Sequence, residues 1–140
     1  DIRLDRLIFR SNYDARSDHL ALYDQVDIAL DTFPFTGATT TFESVSAGVP
    51  VVTLMGDRYV ARYAGAILSH LGFAEFACAD EDAYVAMAQA LAGAPERLAE
   101  LRRVLPDRIA ASPLCDGVAY ARSIEAAYRD MWARFCLGGP

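Results

Sequence analysis

Short apolar runs alternate along the first two thirds of the chain with stretches whose apolar residues recur at helical spacing. The runs lie at 6–10, 26–31, 51–54 and 73–78, and they predict four buried strands. Helical spacing follows the runs at 17–23, at 39–47, at 59–71, where Gly72 ends the pattern, and after the acidic turn 80–82. Strands and helices that alternate in this way predict an α/β fold with a parallel, Rossmann-like sheet and flanking helices.

The last third of the chain is predicted to be helical. Pro95 suits a first helical turn, and the segment 112–116 interrupts the helical pattern. The final helix carries an apolar stripe that we expect to pack in the core: Tyr120, Ile124, Tyr128, Met131 and Phe135. We therefore predict one domain over 1–140 with a helical tail over 95–137. Four strands and no initiating Met suggest that the domain is partial and belongs to a larger protein.

The stretch 31–56 carries the clearest candidate chemistry. A loop containing Pro34 and Gly37 follows a strand, three threonines open a short helix, and Gly48 ends that helix before the next strand. The N-terminus of a helix offers free N–H groups and partial positive charge, which favour phosphate. In an open α/β sheet this position lies at the carboxyl edge of the strands, where ligands bind.

Two interpretations of this helix start are open, and they are compatible. Thr40 and Glu43 have the spacing of a capping box, in which each side chain bonds the other residue's N–H. Alternatively, a diphosphate binds at Thr39, Thr40 and Thr41, and Glu43 accepts hydrogen bonds from a ribose. Residues three and four apart share a helical face, so Glu43 lies beside Thr39 and Thr40.

Three basic side chains are weaker candidates. His19 falls in the first turn of a helix after a strand, on the same predicted edge as the threonines, and Arg16 is beside it. Arg62 lies one helical turn from Arg58, off the apolar stripe of its helix. A single surface His or Arg is usually a solvated residue, and only the shared edge makes these three candidates for ligand contacts.

Charge and composition exclude several functions. With 13 basic and 19 acidic residues the net charge is −6, so we expect no nucleic-acid partner and no membrane association. No apolar run approaches the roughly 18 residues of a membrane span. Three cysteines without a paired short spacing indicate reduced thiols and a cytoplasmic protein. The sequence shows no carboxylate cluster that would demand a metal ion, and we expect no cofactor.

The segments HLALYDQVDIALDTFPFTGATTTFES, AGVPVVTL and GDRYVARYAGAILSHLG, with the ending SPLCDG and IEAAYRDMWARFC, together resemble the O-GlcNAc transferase and SPINDLY family, glycosyltransferase family 41. The resemblance runs in order over nearly the whole chain. It implies the C-terminal, donor-binding half of a GT-B glycosyltransferase. Members are inverting, metal-independent transferases that modify Ser and Thr hydroxyls of proteins, usually behind tetratricopeptide repeats.

Carried over by position, the resemblance implies that Thr39 and Thr40 contact the donor diphosphate and that Glu43 holds the ribose. His19 and Arg16 match positions that line the nucleotide, although one family member has a lysine at the position of Arg16. The implied donor is UDP-GlcNAc, with GDP-fucose as the alternative. The acceptor protein would bind upstream domains, and 140 residues alone would be inactive and would expose a sheet edge open to self-association.

Two departures from the family pattern leave a non-catalytic alternative open. Ala38 occupies the position of a His in the animal enzymes, and Ser46 replaces a large aromatic residue. A nucleotide-binding or interaction module that has lost the chemistry would also carry such changes. A dehydrogenase is disfavoured, because no G-x-G-x-x-G segment follows a strand.

Overall fold

A computed structural model describes residues 3–10 and 16–138, with side chains in the second range described from residue 19 onward. Three strands form a parallel sheet in the order β1-β2-β3: β1 (Ala29–Leu30), β2 (Val51–Leu54) and β3 (Ala77–Cys78). The predicted parallel α/β fold class is therefore confirmed.

Six α-helices and several short 3₁₀ turns connect and flank these strands in the described residues. The helices are α1 (Arg16–Ala21), α2 (Thr39–Ser46), α3 (Tyr63–Leu71), α4 (Glu81–Ala92), α5 (Pro95–Ala110) and α6 (Gly117–Cys136). Local signals explain several ends: Asp80 caps α4 by accepting from Ala83 N at 2.8 Å, and Gly72 ends α3 in the left-handed conformation at φ 82°.

The core lies around the central strand. Val51, Val52 and Thr53 of β2 are buried, as expected for a strand covered on both faces. Helices α3 and α4 pack on the sheet, and α5 contacts α2 and α4. The core cluster extends through these helices with the buried residues Val45, Ile67, Leu68, Leu71, Phe73, Phe76, Leu91, Leu101, Leu105 and Ile109.

The predicted first strand at 6–10 is wrong. The structure has a 3₁₀ turn at Leu4–Arg6, followed by irregular chain in which Ile8 and Phe9 are 76% and 85% exposed. A strand requires a neighbour for its backbone hydrogen bonds, and no described strand pairs with this segment. An apolar run alone did not distinguish a strand from an exposed segment.

The other predicted strands are shorter than expected, except for 51–54. The run 26–31 contributes only β1, and 73–78 forms a 3₁₀ turn, Ala74–Phe76, before β3. β1 is an edge strand of the described sheet, and Leu30 is 57% exposed there. Self-association through such an edge stays a prediction.

The expectation that the last helix packs in the core is also wrong. No residue of α6 is buried, and Tyr120, Tyr128 and Phe135 of the predicted stripe are 68%, 65% and 70% exposed. Among the described elements, α6 packs chiefly beside the short 3₁₀ turn Pro113–Cys115 that precedes it, so nothing described covers the stripe. Across the described ranges, no helix is both long enough and apolar enough to cross a membrane.

The C-terminal end of α2 packs tightly against α5. The Arg102 guanidinium donates to the carbonyls of Tyr23, Val26 and Ala47, which joins the 3₁₀ turn after α1 to the end of α2. Gly48 permits this approach, because a Cβ at Gly48 would lie 2.3 Å from the Arg102 carbonyl oxygen. Gly48 also has a φ of 80°.

We predict that Gly48→Ala lowers the free energy of unfolding by about 3 kcal/mol, because backbone strain and a steric clash with α5 add together. Gly72→Ala is the matched control. Gly72 has nearly the same φ, 82°, but nothing lies within 4 Å of its added Cβ. The control should therefore lose only about 1 kcal/mol. Urea unfolding followed by circular dichroism measures both, and equal losses would contradict the predicted clash.

Candidate functional site

The loop between β1 and α2 is anchored by the carboxylate of Asp31. Its Oδ1 accepts hydrogen bonds from Thr32 N at 3.0 Å and Gly37 N at 2.9 Å, and its Oδ2 accepts from Thr53 Oγ1 at 2.8 Å. The Tyr84 hydroxyl donates to the Asp31 carbonyl at 3.0 Å. Burial, with the nearby Asp31 charge, raises the pKa of Tyr84. Sequence reasoning missed Asp31, although an Asp directly after a strand and before a Gly loop was an available signal.

Thr36 is the second anchor of this loop. It is fully buried, and its N and Oγ1 each donate to the Val60 carbonyl at 3.0 Å. Its hydroxyl also accepts from Ala64 N in the first turn of α3 at 3.5 Å. These bonds fix the loop to the chain segment that enters α3.

The three threonines at the start of α2 occupy different environments. Ala38 is the N-cap, with no side-chain cap hydrogen bond, and Thr39 and Thr40 are exposed. Thr41 is buried, and its hydroxyl donates to the Gly37 carbonyl at 2.9 Å. The predicted capping box is therefore wrong, because α2 begins before Thr40 and its N-cap is Ala38.

Gly37 is packed against the threonine hydroxyls. A Cβ at Gly37 would lie 2.6 Å from Thr40 Oγ1 and 2.8 Å from Thr41 Oγ1. Since real Cβ atoms do not approach other atoms this closely, a side chain here would displace the first turn of α2. The loop and the helix start thus form one close-packed unit.

An open cavity of about 560 Å³ lies in front of this unit; we call it the threonine cleft. Its walls include Asp31, Gly37, Thr39, Thr40 and the exposed ring of Phe35. The first N–H groups of an α-helix have no intrahelical acceptors, so the uncapped start of α2 presents donors beside the Thr39 and Thr40 hydroxyls.

A second depression of about 420 Å³ lies on the other side of Thr39, which lines both cavities. We call it the glutamate depression; its walls include Leu20, Glu43 and Ser46. His19 Nε2 lies 3.3 Å from Glu43 Oε2, which brings these two predicted site residues together.

Tyr23 contacts both the threonine segment at the start of α2 and His19. Its hydroxyl donates to the Thr40 carbonyl at 3.4 Å, and its ring meets His19 edge to face with centroids 5.8 Å apart. Burial, with a smaller contribution from Glu43, raises the pKa of the Tyr23 hydroxyl. Sequence reasoning did not single out this tyrosine.

The two predicted arginines are placed differently. Arg16 begins α1, three residues before His19, and its side chain lies outside the described part of the structure. Arg62 is exposed immediately before α3 and lines neither cavity. The described residues contain no group of three or more His, Cys, Asp or Glu side chains that could hold a metal ion.

We predict that Thr36→Val lowers the free energy of unfolding by about 1–2 kcal/mol, because Ala64 N–H then loses its buried acceptor. Thr32→Val is the control within the same loop. The Thr32 hydroxyl also donates to a backbone carbonyl, that of Phe35 at 2.8 Å, but Thr32 is exposed. The control should change stability by less than about 0.5 kcal/mol. Equal effects in urea unfolding would show that the Thr36 bonds do not anchor the loop.

Comparison with known proteins gives consistent results. A SPINDLY protein of Hordeum vulgare, named as a probable UDP-N-acetylglucosamine–peptide N-acetylglucosaminyltransferase, is 42% identical over 121 residues. A Caenorhabditis elegans UDP-N-acetylglucosamine–peptide N-acetylglucosaminyltransferase is 30% identical over 135 residues. These alignments cover 86% and 96% of this chain but only 13% and 12% of the relatives, so the chain spans a small part of their length.

A solved structure of an O-GlcNAc transferase mutant from Thermobaculum terrenum superposes with a TM-score of 0.82 and 35% sequence identity. The superposition covers 89% of this chain and 24% of that chain. The sequence profile of the family described as Glycosyl transferase family 41 matches residues 1–124. The chain therefore belongs to glycosyltransferase family 41.

Proposed function

We propose that this chain is the donor-binding part of an inverting protein O-glycosyltransferase, which transfers a sugar from a nucleoside diphosphate to Ser or Thr hydroxyls. The observation that carries the proposal is the uncapped start of α2, where exposed Thr39 and Thr40 line the threonine cleft and Thr39 also lines the glutamate depression. The acceptor protein binds to parts of the larger protein outside these 140 residues, and the chain alone does not catalyse transfer.

The diphosphate binds at Thr39 and Thr40. As the glycosidic bond breaks, negative charge grows on the β-phosphate. Two hydroxyls and the N–H groups of a helix N-terminus stabilise such charge by preorganised hydrogen bonds, so the residues of this site supply the stabilisation themselves. The nucleotide sugar is a substrate, and the proposal includes no cofactor.

The two cavities hold the two ends of the donor. The ribose lies in the glutamate depression, where Glu43 accepts hydrogen bonds from its hydroxyls. His19 and Arg16 line the base. A carboxylate has about four acceptor positions and can therefore accept several hydrogen bonds at once, as the two hydroxyls of a sugar diol require. The transferred sugar lies in the threonine cleft.

Thr41 and Gly37 contribute to the proposed site by packing. The Thr41 hydroxyl is buried and directed at the Gly37 carbonyl, and Gly37 is packed against Thr40 and Thr41. Both residues hold the first turn of α2 and the loop together. Arg62 is exposed and lines neither cavity, so the proposal gives it no contact with the donor.

The donor base and sugar have two candidates. UDP-GlcNAc agrees with the names of the relatives, and GDP-fucose is the alternative for SPINDLY-like members. Ser46 lines the glutamate depression, so the small side chain at this position leaves room there for a larger base. A non-catalytic nucleotide-binding module is the second candidate function, favoured by Ala38 at the helix cap.

We predict that Thr39→Ala/Thr40→Ala weakens binding of UDP or GDP by about 10- to 100-fold, because hydrogen bonds to charged groups contribute about 1.5–3 kcal/mol. Isothermal titration calorimetry on the chain and on the full-length protein measures the change. Ser123→Ala is the control, because Ser123 is an exposed helical hydroxyl on α6 that lines neither cavity. Unchanged affinity in the double variant would show that the diphosphate does not bind at the start of α2. Binding without transfer by the full-length protein would favour the non-catalytic module.

We predict that Glu43→Gln weakens UDP binding by about tenfold and leaves pyrophosphate binding unchanged or slightly stronger. The ribose loses a charged acceptor, which corresponds to about 1.4 kcal/mol, whereas pyrophosphate has no ribose. Competition titration of both ligands distinguishes the two effects. An equal loss for both ligands would mean that Glu43 acts by shaping α2 and does not hold the ribose.

A further inference from the structure

We propose that Asp31 is the positioning residue of the donor site: its carboxylate sets the loop geometry that aligns Gly37 and the first turn of α2 for the diphosphate. The proposal rests on the proposed function above and adds to it a residue that touches no substrate. It explains why an acidic side chain stands next to a site for an anion.

The carboxylate of Asp31 gathers donors from three separate places. They are the next residue in the loop, Thr32 N at 3.0 Å, the far end of the loop, Gly37 N at 2.9 Å, and the central strand, Thr53 Oγ1 at 2.8 Å. Thr53 is fully buried in β2. The loop is thus closed on itself and bonded to the buried central strand of the sheet.

Asp31 itself is held by the backbone. Its N–H donates to the Val52 carbonyl at 2.9 Å, and its carbonyl accepts from the Tyr84 hydroxyl of α4 at 3.0 Å. With its main chain fixed on the sheet and on α4, the carboxylate has little freedom to follow the loop. The loop must therefore adopt the conformation that brings its N–H groups to the carboxylate.

Gly37 links the position of the Asp31 carboxylate to the position of α2. Asp31 holds the Gly37 N–H, and Thr41 holds the Gly37 carbonyl at 2.9 Å. The Cα of Gly37 packs directly against the hydroxyls of Thr40 and Thr41. A continuous series of hydrogen bonds therefore runs from Thr53 through Asp31 and Gly37 to the helix turn that offers the phosphate donors.

The charge of Asp31 does not itself favour the ligand. A carboxylate beside a diphosphate repels it, so a residue selected only for anion binding would not be acidic. The acidic group fits a geometric role, because a carboxylate accepts three hydrogen bonds at once and donates none. Asn retains most of this geometry: its amide oxygen accepts from the two N–H groups, and its NH₂ donates to the Thr53 hydroxyl, which can act as an acceptor.

The test is steady-state kinetics of the full-length protein with the nucleotide sugar, together with calorimetric titration of UDP and GDP. We expect Asp31→Ala to raise KM for the donor and to lower kcat, each about tenfold, because misaligned donors lose contact with the growing phosphate charge. Asp31→Asn should restore both constants to within about twofold of the original protein. Asp27→Ala, an exposed acid in the same segment, should change neither.

Hydrogen exchange of the Gly37 amide supplies a readout independent of activity. We expect Asp31→Ala to speed this exchange at least tenfold relative to the amides of Leu101 and Leu105 in α5. If Asp31→Ala does not fold, Thr53→Val removes one of the three donors and should shift KM and Gly37 exchange in the same direction by a smaller factor.

The outcomes separate the two proposals. Failure of the original protein to bind either nucleotide would overturn the proposed function, and the role of Asp31 with it. Nucleotide binding with unchanged KM, kcat and Gly37 exchange in Asp31→Ala would overturn the role of Asp31 alone. An Asp31→Asn variant as impaired as Asp31→Ala would also overturn it, because the charge and not the geometry would then be required.

Discussion

One half-buried, hydrogen-bonded carboxylate governs the candidate site. A loop that leaves a strand and turns into a helix must satisfy its own polar groups, and the loop after β1 does so largely through Asp31. Thr36 adds a second attachment, to the segment entering α3. These two attachments hold the loop at both ends, although it has no regular secondary structure. Because α2 begins where this loop ends, the same hydrogen bonds set the position of its first turn.

The start of α2 divides the surface into two compartments. Thr39 lines both the threonine cleft and the glutamate depression, so a ligand that spans them must pass the helix N-terminus. A nucleotide sugar has this form: a charged centre with a different group at each end. The two cavities therefore agree with a donor-binding role for a member of glycosyltransferase family 41.

The sequence predicted the fold class and the placement of most helices well, because caps such as Asp80 and Gly72 are local signals. It predicted β2 correctly, since four consecutive apolar or β-branched residues between turns suit a buried strand. Strands at 6–10 and 73–78 were misjudged because pairing depends on a neighbour, which a local pattern does not contain. The stripe on α6 shows the same limit: periodicity identifies an apolar face but not what covers it.

The candidate site was predicted unevenly for a related reason. The threonines and Glu43 were found because helix starts have recognisable residue types. The hydrogen bonds of Asp31 to Gly37 and Thr53 join residues that are six and 22 positions apart, and Tyr84 reaches Asp31 across 53 positions. Only the fold brings such partners together, so sequence reasoning listed the residues at the helix start and missed the residue that holds them.

The crowding at Gly37 has a consequence for how this site can diversify. With threonine hydroxyls so close to its Cα, position 37 tolerates no larger residue, and the hydrogen bonds of Asp31 and Thr36 restrict the rest of the loop. Leu20 and Ser46, by contrast, are exposed in the wall of the glutamate depression. We therefore expect new ligand preferences to arise by exchange of those wall residues, while the loop, and with it the proposed diphosphate site, keeps its conformation.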